Sequence, residues 1–154
     1  MALKGQGAAE YLVLLAMVLV VSLIGIILLG GFGSAGGDTM DAQSKTYWSG
    51  VASPFAVVGW MQMGDTIYLK IVNREPIRLI LTNITIGNAS PDLGAGWTVA
   101  PNGEKNISIS GLETCNETNY DYFSYNLTFH YSTEHLTGKI QKGERPIAGR
   151  CSFQ

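Results

Sequence analysis

Histidine and cysteine are scarce in this chain, with two of each in 154 residues. Neither Cys115 nor Cys151 stands in a CxxC pair, so a zinc site is not expected. Charge is scarce too, at 14% of residues with a formal balance of −2. That balance gives no case for nucleic-acid binding, which wants a basic face. There is no P-loop, no dinucleotide-binding glycine pattern, no H-E-x-x-H pair and no G-x-S-x-G elbow. His130 falls on the solvent side of a predicted strand and His135 beyond its end, as solvated histidines do. No enzyme, resident metal or cofactor is expected.

What charge exists is unevenly placed. Between Gly5 and Gly37 the only charged residue is Glu10, so 11 of the 12 acids and 9 of the 10 bases lie within 38–154, and the remaining base is Lys4. The 19 residues from Tyr11 to Leu29 carry no charge. As a helix they would reach about 28 Å, close to the thickness of bilayer hydrocarbon. They are apolar all round, unlike a surface helix with one greasy stripe. A secretory signal would show a shorter apolar core followed by a small-residue cleavage site, and 30–35 supplies a poor one. Lys4 before the run, and Asp38 and Asp41 after it, place the start inside the cell and the rest outside.

Glu10 opens the apolar run directly, where a carboxylate loses hydration unless a partner or an interfacial position relieves it. A headgroup-level position near a helix N-terminus would suffice for Glu10 taken alone. Its neighbours say more. Met1-Ala-Leu-Lys-Gly-Gln-Gly-Ala-Ala-Glu-Tyr-Leu resembles the class III signal sequence of type IV pilin precursors, in the archaeal form with Gln at the new N-terminus. The resemblance covers about 30 residues. It implies cleavage between Gly5 and Gln6 by a membrane prepilin peptidase, with the apolar run retained and Glu10 at the family's glutamate position. Cleavage would create an α-amine one helical turn from Glu10. In a polymer, Glu10 could pair with that amine on a neighbouring subunit. Desolvation offsets much of such a pair's attraction, so its value lies in register rather than in net stability.

After the run, residues 30–37 hold five glycines in eight positions. Glycine costs about 1 kcal/mol inside a helix, so the helix should end, bend or loosen there, as a plain linker or as a hinge. Asp38 is a candidate cap for a short helical continuation with Met40, Ser44, Tyr47 and Val51 on one face. From Phe55 onward the period is two. Ile67, Leu69 and Ile71 alternate with polar residues, as do Ile107 and Ile109, and Phe123 through Tyr131 read as one strand. Such patterning predicts antiparallel sheets over a core, with six to eight strands in a small sandwich or barrel. Ile77 to Ile86 changes phase midway, so either both faces are buried or a bulge lies near Thr82–Asn83. Trp48, Trp60 and Trp97 fit core or interface packing better than a ligand groove.

Five N-x-[ST] sequons occur, at Asn83, Asn88, Asn106, Asn116 and Asn126. They are glycan attachment sites, or simply polar residues suited to turns and solvent faces. In an exported chain an even cysteine count favours one disulfide, Cys115–Cys151, with two unrelated buried thiols as the alternative.

The expected class is therefore α+β: a long hydrophobic N-terminal helix ahead of a small antiparallel β-sandwich or barrel-like domain, similar to archaeal type IV pilins. Residues 1–5 would be the leader, 6–37 the hydrophobic assembly or transmembrane helix with its glycine-rich hinge, and 38–154 the extracellular domain. The resemblance implies a subunit of an extracellular filament serving adhesion or cell–cell contact. Its implied partners are copies of itself, the prepilin peptidase, the membrane before assembly, and a membrane platform with its ATPase. The precursor would reside in the cytoplasmic membrane and the product on the archaeal cell surface. Two alternatives stand beside it: an archaellin of the archaeal rotary filament, and a monomeric surface-binding protein anchored by an uncleaved helix.

Overall fold

Leucine, alanine and methionine favour helix, and no proline or second charge interrupts them after Glu10. Helix α1 accordingly runs Gln6–Leu28. The computed structural model describes residues 6–28, 35–115 and 122–152. The chain divides into two units, Met1–Gly36 and Gly37–Gln154.

Helix α2, Ala35–Thr46, carries Asp38 in its first turn and Lys45 in its last, matching the helix dipole at both ends. It starts ahead of Asp38, which therefore lies inside the first turn rather than capping it. Ser44 is buried, whereas Met40 and Val51 are exposed, so the face expected of this stretch is only partly an inner one. A π-helical turn, Tyr47–Val51, follows and closes with Ala52 N–H donating to the Tyr47 carbonyl at 2.8 Å. The wider turn delivers Trp48 into the core. There Nε1 of Trp48 donates to the Arg145 carbonyl at 3.1 Å.

Among the described residues nine strands form the rest: β1 Phe55–Met63, β2 Thr66–Asn73, β3 Leu79–Ile86, β4 Trp97–Val99, β5 Glu104–Ile109, β6 Tyr122–Tyr125, β7 Leu127–Ser132, β8 Lys139–Lys142 and β9 Ile147–Arg150. They pair as β1-β2-β5, β4-β3-β7-β8 and β6-β9. Strand-to-strand pairing is antiparallel throughout. A parallel bridge, Gln62 to Cys151, joins the end of β9 to β1. Ile67, Leu69 and Ile71 of β2 share one core with Leu79, Leu81, Ile84, Ile86, Leu127 and Phe129 of the four-stranded sheet. The layers meet at Phe55, whose ring centroid lies 5.3 Å from that of Phe129 and 5.6 Å from that of Tyr131.

The phase change in β3 is a bulge. Leu81 pairs with Tyr131 and Asn83 with His130, leaving Thr82 as the extra residue. Leu79, Leu81, Ile84 and Ile86 are all buried as a result. The stretch read as one strand from Phe123 to Tyr131 is two. It breaks at Asn126, with β6 pairing β9 and β7 entering the four-stranded sheet.

The expected α+β class, with its long hydrophobic helix ahead of a pilin-like β-domain, is corrected by these elements: the protein is mostly β. Among the described residues no helix is long and apolar enough to cross a membrane. Strand content was underread because β4 has three residues and β8 and β9 four each, too few for a period of two to show.

Candidate functional site

Within α1, Glu10 follows Gln6 by one helical turn, and its side chain is exposed. Every described side chain from Ala9 to Ile24 is exposed. Tyr11 stands at 66%, Val21 at 68% and Ile24 at 50%. These residues cover all faces, so the helix has no preferred inner side. Ser22, the polar residue in its middle, donates its hydroxyl to the Val18 carbonyl at 2.7 Å and is satisfied within the helix. Each Leu, Val or Ile here would gain about 1.5–3 kcal/mol by full burial. A continuous apolar surface of this kind marks an interaction site. Gly5 lies outside the described residues, as does Asn116, and Gln6 enters only as the first backbone residue of α1.

In the second unit, the start of α2 is clasped to the β6–β9 pair. Arg150 donates to Oδ1 of Asp38 at 2.7 Å, and the Tyr122 hydroxyl donates to the same oxygen at 2.8 Å. The Arg150 guanidinium also lies over the Tyr122 ring, 5.2 Å from its centroid. The Arg150 hydrogen bond first, and the Tyr122 one second, hold the Asp38 carboxyl below the usual carboxylate range. The bond to Asp38 raises Tyr122 above the usual phenol range. Gly37 makes room for this clasp, because a Cβ there would sit 2.5 Å from the Tyr122 ring.

At the far end of β1, Cys115 and Cys151 form a disulfide with Cα atoms 5.7 Å apart. Cys115 N–H donates to the Gly64 carbonyl at 2.9 Å, and Ser152 N–H to the Gln62 carbonyl at 2.9 Å. The bridge thus fastens the segment ahead of β6 and the end of β9 to the β1–β2 turn. Beneath it, the buried Gln62 amide donates to the carbonyls of Gly64 and Glu113 at 3.0 and 2.8 Å.

No protein-family model matches the chain, and no curated protein matches it.

The described sequons differ in their surroundings. Asn83 is half-buried beside the bulge; its Nδ2 donates to Ser90 Oγ at 3.1 Å while its Oδ1 accepts from Ile84 N–H at 2.8 Å. Asn88, Asn106 and Asn126 are exposed. His130 pairs with Asn83 and Ile140 within the sheet. Among the described residues no group of three His, Cys, Asp or Glu could hold a metal ion. Trp48 is fully buried, and Trp60 and Trp97 pack against the core. Sequence reading missed the buried amides of Asn73, Gln62 and Gln141 and the Asp38–Tyr122–Arg150 clasp. Asp38 and Arg150 are 112 residues apart, and no local pattern links positions so distant.

Proposed function

We propose that this chain is a structural subunit of an extracellular, type IV pilus-like filament and that it polymerises through α1. The observation that carries the reading is the helix itself, apolar on every face, with exposed side chains from Ala9 to Ile24 and Glu10 as its one charge. Such a surface is unfavourable in water, and copies of the same helix would cover it. Lipid of the cytoplasmic membrane covers it before assembly. A prepilin peptidase cuts between Gly5 and Gln6, and an ATPase-driven membrane platform inserts each subunit, for adhesion or cell–cell contact.

Glu10 sets the register by meeting the new amine of Gln6 on a neighbouring subunit. A subunit docked with that carboxylate unpaired would be disfavoured by about 3–5 kcal/mol. Filaments sheared from cells, viewed by electron microscopy and analysed by mass spectrometry, should contain subunits beginning at Gln6. Glu10→Ala should slow or block incorporation while the second unit still folds, and normal filament yield from that variant would refute the pairing. A mature chain still carrying Met1 would instead favour a monomeric anchor. A secreted monomer beginning after Leu29 would remove the filament reading altogether.

A further inference from the structure

The outer face of the β1-β2-β5 sheet is not uniformly polar. Register places Met61 beside Tyr68 and Tyr68 beside Ser108, with Gly59 beside Lys70 and Lys70 beside Asn106 in the next row. Met61 is 43% exposed and Tyr68 45%. These six residues line a groove of about 510 Å³. Gly59 leaves its floor open, since a Cβ there would meet only Lys70 Cβ, at 3.9 Å. Lys70 is held at the rim by Glu104, Nζ to Oε2 at 2.7 Å. The groove thus has an apolar wall, an open floor and a polar margin, and one of its lining residues is the asparagine of a sequon, Asn106-Ile107-Ser108.

We propose that Asn106 is a glycan attachment site whose first sugar lies in this groove against Tyr68 and Met61. β5 is an edge strand, so Asn106 and Ser108 point outward from an accessible margin, with Ile107 buried between them. The occupant is tethered to the groove's own lining. A pyranose has an apolar C–H face for the aromatic wall and hydroxyls for Lys70 and Ser108. Asn83 contrasts with this site, because its amide is already engaged on both sides. Asn88 and Asn126 are exposed, but neither lines this groove.

The step is a glycosyl transfer from a lipid-linked sugar phosphate, performed by a separate membrane transferase outside the cytoplasm. Nδ2 of Asn106 bonds to the anomeric carbon, and the bond from that carbon to the donor's phosphate oxygen breaks. The lipid phosphate leaves with the electron pair, and the proton shed by Nδ2 passes to a base of the transferase. The Ser108 hydroxyl is the part of the sequon that such transferases require. The inference needs export but does not depend on filament assembly.

The test uses the full chain expressed in a host that makes lipid-linked oligosaccharides and the matching transferase. Peptide mass spectrometry should find the glycan mass on the Asn106 peptide. Asn106→Gln and Ser108→Ala should each abolish it, while Ser108→Thr should keep it. An unmodified Asn106 in that host overturns the site. The groove is tested by the rate at which peroxide converts Met61 to its sulfoxide. Met40 of α2, 46% exposed, is the internal reference. Relative to Met40, Met61 should oxidise several-fold more slowly in the glycosylated chain than in Asn106→Gln. Equal rates in the two chains overturn the seating of the sugar.

Discussion

Asn73 shows how one polar side chain can be worth burying. It is fully buried, and its Nδ2 donates to the carbonyls of Ile77, Val99 and Ala100 at 2.8, 3.1 and 3.1 Å. Its Oδ1 accepts from Glu75 N–H at 2.9 Å. The amide therefore knots the end of β2, the turn after it and the end of β4. Asn73→Ala would remove these four bonds, leaving the Ala100 carbonyl with Gly103 N–H at 2.8 Å, and a buried group stranded without a partner costs about 1–3 kcal/mol. Denaturant unfolding, with α1 covered by detergent, should show a loss of about 2–3 kcal/mol. A loss below about 0.5 kcal/mol would mean that water replaces the amide without penalty. Gln141 works in the same way across the layers. Its amide accepts from Phe55 N–H at 2.9 Å and donates to the Phe55 carbonyl at 2.8 Å, as a neighbouring strand would. Neither role was legible in the sequence, where no local pattern marks either amide for burial.

Among the elements, legibility followed length and period. β2 and β5 alternate cleanly and were read directly. The bulge in β3 was one of two readings, and the register skip between Leu81 and Asn83 decides for it. A second bulge was not anticipated: Val57 pairs with Ile71 and Gly59 with Lys70, leaving Val58 unpaired. Nothing in Phe123 to Tyr131 announces the change of partner at Asn126, because alternation continues on both sides of the break. The clasp on α2 depends on ionisation. Asp38 has a folded pKa held below its unfolded one, chiefly by Arg150. Its contribution is therefore complete above the unfolded pKa and lost as pH falls through the folded one. Tyr122, raised chiefly by Asp38, contributes below its unfolded pKa and loses that contribution as pH rises through the folded one. Protection factors of the α2 amides, corrected for the intrinsic pH dependence of exchange, should thus be largest between these limits and fall below about pH 4. Asp38→Asn should flatten the acid side of that profile. An unchanged profile in Asp38→Asn would assign the acid effect to other groups.

For the whole molecule, the question is what keeps a small mostly-β unit intact. Domains of this size are held by about 5–15 kcal/mol in total. The Cys115–Cys151 bridge spans a sequence separation of 36, a closure worth about 4 kcal/mol in the chain-entropy treatment. It is placed where that constraint counts. β9 meets β1 through the bridge at Gln62–Cys151, beside the disulfide, and β6 depends on β9 for its pairing. Opening the disulfide should therefore loosen β6 and β9 first and leave β2, β3 and β7 protected. Cys115→Ser combined with Cys151→Ser should lower stability by about 2–4 kcal/mol, a fall in melting temperature of roughly 10–20 °C. Hydrogen exchange should find the early loss in Tyr122–Tyr125 and Ile147–Arg150. Uniform loss of protection across all nine strands would show that the unit opens only as a whole, with the bridge acting on the unfolded chain alone.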